Sequence, residues 1–178
     1  TKVGSDFIWH TEVPLDPGVN DLTFVAYDYQ RSAVGTSRVT FVSTIAERPL
    51  HDHLRVTELM VYPREGSDAE FIELFNDGTN TLDLSGVVLS GGIDYAFAGS
   101  ASTNLGPGEY AVLVNDFTVF ASTYGTAGIT VAGEFSGNLG NGGEEICLED
   151  AWGLTILQFD YDDGRGWPLA ACGAGHSL

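Results

Sequence analysis

Apolar and polar positions alternate with a period of two through most of the chain, the mark of strands with one face on a core. The runs expected to be strands are 7–13, 22–27 and 38–43 in the first quarter. They continue at 54–62, 70–76, 86–90, 110–115, 144–150 and 155–161. Turn chemistry separates them: Pro14-Leu-Asp-Pro-Gly18, a break at Gly35, Gly66-Ser-Asp, Asn76-Asp-Gly-Thr-Asn, Gly91-Gly, Gly106-Pro-Gly and Asn141-Gly-Gly. Short strands at regular intervals with such turns predict an all-β sandwich. One segment has helical spacing instead. Phe117, Phe120 and Tyr124 fall at i, i+3 and i+7, behind Asp116 as N-cap and before Gly125 as a stop.

The same pattern divides the chain. Residues 1–46 supply only three strands, and a free-standing domain of that size would be marginal. They are expected to be the C-terminal strands of a partial Ig-like or fibronectin-like module that begins upstream. Residues 47–53 are polar, broken by Pro49 and without alternation, and read as a linker. Residues 54–178 carry the remaining strands and the helix, enough for a complete sandwich.

Composition narrows the function classes. Lys+Arg of 7 against Asp+Glu of 25 gives a net charge of −18. Such a field repels phosphate backbones and anionic lipid, which argues against nucleic-acid partners. The surplus carboxylates either hold divalent cations or keep the chain soluble. A glycine count of 23 beside a single methionine describes a turn-rich β protein. No apolar run reaches 18 residues, so membrane insertion by a helix is not expected.

Several stretches after position 53 resemble one family in order. They are Val56-Thr-Glu-Leu-Met-Val-Tyr-Pro63, Glu70-Phe-Ile-Glu-Leu-Phe-Asn76, Leu82-Asp-Leu-Ser-Gly-Val-Val-Leu89 and Leu105-Gly-Pro-Gly-Glu-Tyr-Ala-Val-Leu-Val114. Leu139-Gly-Asn-Gly-Gly-Glu-Glu-Ile-Cys-Leu-Glu-Asp150 and Tyr161-Asp-Asp-Gly-Arg-Gly-Trp-Pro168 complete the set. Together they resemble the lamin tail domain in its bacterial form, an Ig-like β-sandwich. Cys172 departs from that pattern, in a closing turn where a small polar residue is more usual. Upstream, Trp9, the Pro-Gly turn and Phe24-Val-Ala-Tyr-Asp28 resemble the last strands of Ig-like modules of bacterial surface proteins. The fold expected is therefore an all-β, immunoglobulin-like antiparallel sandwich with one short helix, preceded by a few strands of a partial Ig-like domain. The resemblance also implies an exported, extracellular or cell-surface protein. Any catalytic domain, kinase-like or nuclease-like, would lie outside these residues.

Candidate chemistry is sparse. Period-two counting puts Glu58 with Leu54, Val56 and Met60 on one face, and Glu70 with Ile72 and Leu74 on one face of the next strand. A buried carboxylate needs donors or a cation, so Glu58 and Glu70 are candidates for Ca²⁺, the alternative for Glu58 being backbone N–H groups or pairing with Arg55 or Arg64. Asp160, Asp162 and Asp163 form a second candidate Ca²⁺ loop, with a turn as the alternative, because the EF-hand's bidentate Glu is missing. His51 and His53 could face one way in a strand, but no third ligand is adjacent. Cys147 and Cys172 are a candidate disulfide, worth roughly 3 kcal/mol in the chain-entropy picture, or two unpaired thiols. Tyr95, Trp152, Tyr161 and Trp167 lie in or beside expected loops, where a ring could stack on a sugar, anchor a partner or simply pack.

Hydrolase elbows, phosphate-binding glycine loops and zinc motifs are absent, and Glu144-Glu145 point to opposite faces of a strand. The expected function is a non-catalytic binding, adhesion or targeting module without a cofactor, unless calcium is one. Its partners would be a protein, a cell-surface polysaccharide or neighbouring domains. The alternatives are a structural spacer or a calcium-stabilised accessory domain attached to a distant enzyme.

Overall fold

The computed structural model describes residues 11, 13–44, 48–100, 102–164, 166–168, 171 and 175–178. The chain divides into two compact units, residues 1–48 and 49–178. Trp9 and most of the expected strand 7–13 lie outside the described residues.

In the first unit β1 (Gly18–Tyr27) and β2 (Ala33–Ser43) form an antiparallel hairpin. Its turn is built by Asp28, whose Oδ1 accepts bonds from the N–H groups of Gln30 and Ser32 at 2.8 and 2.9 Å. The break expected at Gly35 does not occur. Gly35 pairs with Ala26 inside the ladder, and a paired glycine weakens a strand without ending it.

The second unit opens on α1 (Pro49–His53), where a linker was expected. Proline is tolerated in a helix's first turn, and Leu50 packs against the core. Then follow β3 (Leu54–Met60), a 3-10 turn at Ser67–Ala69, β4 (Phe71–Asn76) and β5 (Leu82–Asp83). Next come β6 (Val88–Gly91), β7 (Ile93–Ala96), β8 (Asn104–Leu105), β9 (Tyr110–Val114) and α2 (Phe117–Tyr124). The unit closes with β10 (Val131–Glu134), β11 (Ser136–Gly137), β12 (Gly143–Glu149) and β13 (Thr155–Asp162).

Two sheets carry the unit, with strand orders β10-β9-β4-β3 and β11-β7-β6-β12-β13, and β5 pairs with β8. One interior cluster draws on both: Leu59, Ile72, Leu74 and Leu113 from the first sheet, Leu89, Ile93, Ile146 and Leu148 from the second. This is the antiparallel Ig-like sandwich expected, with one exception. β10 runs parallel to β9. A parallel pair needs a crossover, and α2 lies within it. That helix is the one read from the sequence: Asp116 accepts a bond from Val119 N–H at 2.9 Å, and the Gly125 N–H closes onto the Ala121 carbonyl. Of its three aromatic positions Phe120 is buried, whereas Phe117 and Tyr124 stay partly exposed.

The strand faces hold one correction. Thr57 is an extra residue in β3: Val56 pairs with Leu74 and Glu58 with Glu73, so the register shifts between them. The bulge resets the alternation. Leu54, Val56, Leu59 and Val61 all serve the interior, while Glu58 and Met60 face outward beside Glu73 and Phe71. Glu58 therefore does not share the face of Leu54 and Val56.

Replacing Asp116 by Ala removes the N-cap acceptor and should cost about 1 kcal/mol. Chemical denaturation would show it as a lower midpoint at unchanged slope; an unchanged midpoint would mean that the cap contributes nothing.

Candidate functional site

The outward face of the first sheet is covered at one end only. There α2 packs Phe120 onto Met60, Phe71, Val112 and Val114, with Phe71 edge-on to Phe120 and Tyr124 at centroid distances of 5.6 and 5.3 Å. The other end opens into a groove of about 380 Å³, lined by Glu73, Glu109, Tyr110, Val112, Gly128, Ile129 and Thr130.

Each wall has a local cause. Glu73 points outward because Ile72 and Leu74 are claimed by the interior, and its Oε1 accepts a bond from the Thr57 hydroxyl at 2.7 Å. Buried Asn76 sets the turn that brings in Glu109 and Tyr110. Its backbone N–H donates to the Glu109 carbonyl, its carbonyl accepts from Gly108 N–H, and its side chain donates to the Asn80 and Leu105 carbonyls. Gly108 carries that turn at φ +71°. The Glu109 Oε2 accepts from Gly106 N–H at 2.8 Å. Across the ladder Phe75 pairs with Tyr110, and the rings stack at 4.4 Å. Tyr110 is still 49% exposed, so the pair forms a platform at the groove. The far wall follows α2, where Ile129 N–H closes a turn onto the Thr126 carbonyl and Thr130 accepts from Val112 N–H.

Two carboxylates meet on this face: Glu58 and Glu73 stand directly opposite one another across β3 and β4. Like charges so placed repel. The nearby cation, Arg55, is held by Asp77 at 2.9 Å.

The sequence candidates fall elsewhere. Glu70 is 2% exposed and points inward, where its Oε2 accepts from Leu139 N–H at 2.7 Å. Burial, then the Glu144 and Asp68 charges, push its carboxyl up to about 7 against the Leu139 bond. The sheet separates it from outward-facing Glu58. Asp160 is exposed opposite Glu145 on β12, and Asp162 accepts from Gly164 N–H as a turn residue. Asp163 is exposed beside it. Among the described residues no group of three or more His, Cys, Asp or Glu side chains is placed to hold a metal ion.

His51 and His53 are each engaged by a carboxylate. His51 meets Asp150 at 3.1 Å and His53 meets Asp77 at 3.0 Å, so they tie α1 to two loops. Asp150 is buried. That pushes its carboxyl up, but bonds from Leu154 N–H, His51 and Trp152 N–H outweigh the burial and hold it below the usual range. Cys147 is a half-buried thiol that burial raises, while Cys172, its candidate disulfide partner, lies outside the described residues.

Three of the four candidate aromatics serve packing. Tyr95 packs on the core and donates to the Ala132 carbonyl, Trp167 packs on the same cluster, and Tyr161 is buried. Trp152 alone of the four is well exposed, at 64%. The Tyr161 hydroxyl lies 2.8 Å from Glu144 Oε1 and 3.0 Å from the Gly140 carbonyl. Burial, then Glu144, push its pKa far above the ordinary phenol's.

No line of sequence reasoning singled out the groove. The alternation did place Glu73 and Phe75 on one outward face, but their juxtaposition with Glu109 and Tyr110 comes from the cross-strand register.

Two comparisons with known proteins bear on the chain's family. The family model described as Lamin Tail Domain matches residues 49–163, more than half of the chain. No curated protein matches it.

Tyr161→Phe should cost about 2 kcal/mol, because a buried donor to a carboxylate is lost. Equilibrium denaturation measures this, and a loss below about a quarter of that value would deny the bond a structural role.

Proposed function

The chain belongs to the lamin tail domain family over residues 49–163, and from that premise we propose that it is a non-catalytic binding module of an extracellular protein. Its ligand surface is the groove at the open end of the first sheet. Its ligand is a partner protein that presents a cationic side chain, arginine or lysine.

The observation that carries this reading is the juxtaposition of Glu73, Glu109 and exposed Tyr110 around one cavity. The cavity falls within the size range of sites for small groups. Two carboxylates repel anions and favour a cation, and the stacked Tyr110 face attracts the same charge by its quadrupole. The net charge of −18 draws a basic partner from a distance and speeds encounter at low salt. A cation at this face would also relieve the opposed pair Glu58 and Glu73.

The test uses a short neutral-backbone peptide carrying two arginines, titrated into the chain and followed by amide chemical shifts. Perturbations should centre on Tyr110, Val112 and Ile129. Affinity should fall at least about tenfold in Glu73→Gln/Glu109→Gln and in Tyr110→Ala, a loss of about 1.4 kcal/mol. Glu149→Gln, remote from the groove, should bind as the parent does. Equal binding by the groove variants, or shifts spread over the acidic surface, would contradict the assignment. Tighter binding of a neutral oligosaccharide in the same groove would keep the site and overturn its charge preference.

A further inference from the structure

The loop between β11 and β12 is clasped by two carboxylates, one from each side of the sandwich. Consecutive amides take part: Leu139 N–H donates to Glu70 Oε2 at 2.7 Å, and Gly140 N–H donates to Glu144 Oε1 at 2.7 Å. Glu70 immediately precedes β4 in the first sheet, and Glu144 lies on β12 in the second. Leu139 itself is buried in the shared core, so these bonds hold a core residue at the seam between the sheets. Asn115, the residue after β9, adds to the seam: its N–H donates to the Glu70 carbonyl and its side chain donates to the Gly137 carbonyl and to Asn138 Oδ1.

We propose that this clasp is a proton-operated latch: with Glu70 protonated the Leu139–Gly143 loop is closed on the core, and loss of that proton loosens it. The physical reason is the company Glu70 keeps. The groups facing it are Glu144 from β12, Asp68 from the 3-10 turn and the Tyr161 hydroxyl from β13. Two are acids and the third is a phenol that burial holds protonated, so none of them supplies a compensating positive charge. An ionised Glu70, itself buried, is then a second negative charge beside half-buried Glu144. The Leu139 N–H stabilises the charged form, but burial outweighs it and the midpoint rises to about 7 from an ordinary 4.5.

The sign follows from proton linkage. The closed form binds more protons than the open one wherever the pH lies above 4.5, so closure weakens as pH rises and levels off above about 7. With those two midpoints the closed-to-open ratio falls about tenfold between pH 6 and pH 8. The latch thus operates near neutrality. It is independent of the groove, which is built on the opposite face of the first sheet.

Amide hydrogen exchange of Leu139 and Gly140 in the 178-residue chain, corrected for the intrinsic rate at each pH, reads the latch directly. Protection in the parent should fall about tenfold from pH 6 to pH 8. In Glu70→Gln, neutral at every pH, it should be flat. In Glu144→Gln the fall should move to lower pH, because the repelling charge is gone. The side-chain carboxyl resonance of Glu70 should titrate with a midpoint near 7 in the parent, which decides the matter even where a variant does not fold. A Glu70 midpoint at or below the usual carboxylate range, flat protection in the parent, or an unaltered pH profile in Glu70→Gln would overturn the proposal.

Discussion

A bulge that absorbs one extra residue keeps the inside and the outside of this protein apart. Were Thr57 held in a regular ladder instead of a bulge, a strict period of two would send Leu54 and Val56 to one side of the strand, and Leu59 and Val61 to the other. The bulge lets all four enter the interior, where they meet Ile72 and Leu74 from β4 and Leu89, Ile146 and Leu148 from the second sheet. The same shift turns Glu58 and Met60 outward. Everything on the outer face, from the α2 packing to the acidic groove, depends on which side chains the interior has already taken.

That outer face is shared between two demands. Met60, Phe71, Val112 and Val114 need cover, and α2 gives it through Phe120 at one end. The helix can do this because it sits in the crossover between the parallel strands β9 and β10, where a long connection is needed anyway. Beyond its reach the face carries Glu73, Phe75 and Tyr110, which tolerate water. The groove is thus a by-product of a helix shorter than the sheet it covers. The carboxylates divide in the same way: Glu58 and Glu73 face outward, whereas Glu70 and Glu144 hold a loop by its backbone amides. The acidic composition has structural as well as surface consequences.

Much of the fold was legible in the residues. Alternation in β4 matched the observed faces, and Asp116 with Gly125 delimited α2 because a cap and a stop are local chemistry. The bulge at Thr57 was not legible, since no glycine or proline marks it and only the pairing with β4 requires it. Short strands such as Leu82–Asp83 and Asn104–Leu105 carry too few residues to show a period. α1 was hidden because its stability comes from Leu50 on the core and His51 on Asp150, contacts made across the fold. The same holds for the groove, which joins residues some 55 positions apart, from Glu73 to Ile129 and Thr130. Conversely, Tyr161, read as a candidate contact because it adjoins a turn, is buried, whereas Tyr95 and Trp167 pack on the core with part of each ring still exposed.

The most direct measurement of this sorting is thermal unfolding, by near-ultraviolet circular dichroism, of a chain lacking Thr57. Deletion removes the extra residue, so Val56 and Glu58 become consecutive opposite Leu74 and Glu73, and Leu54, Val56, Leu59 and Val61 share one face at a strict period of two. A cooperative transition with the aromatic signal intact is the outcome the account predicts. A broad, weak transition with loss of the aromatic signal would contradict it.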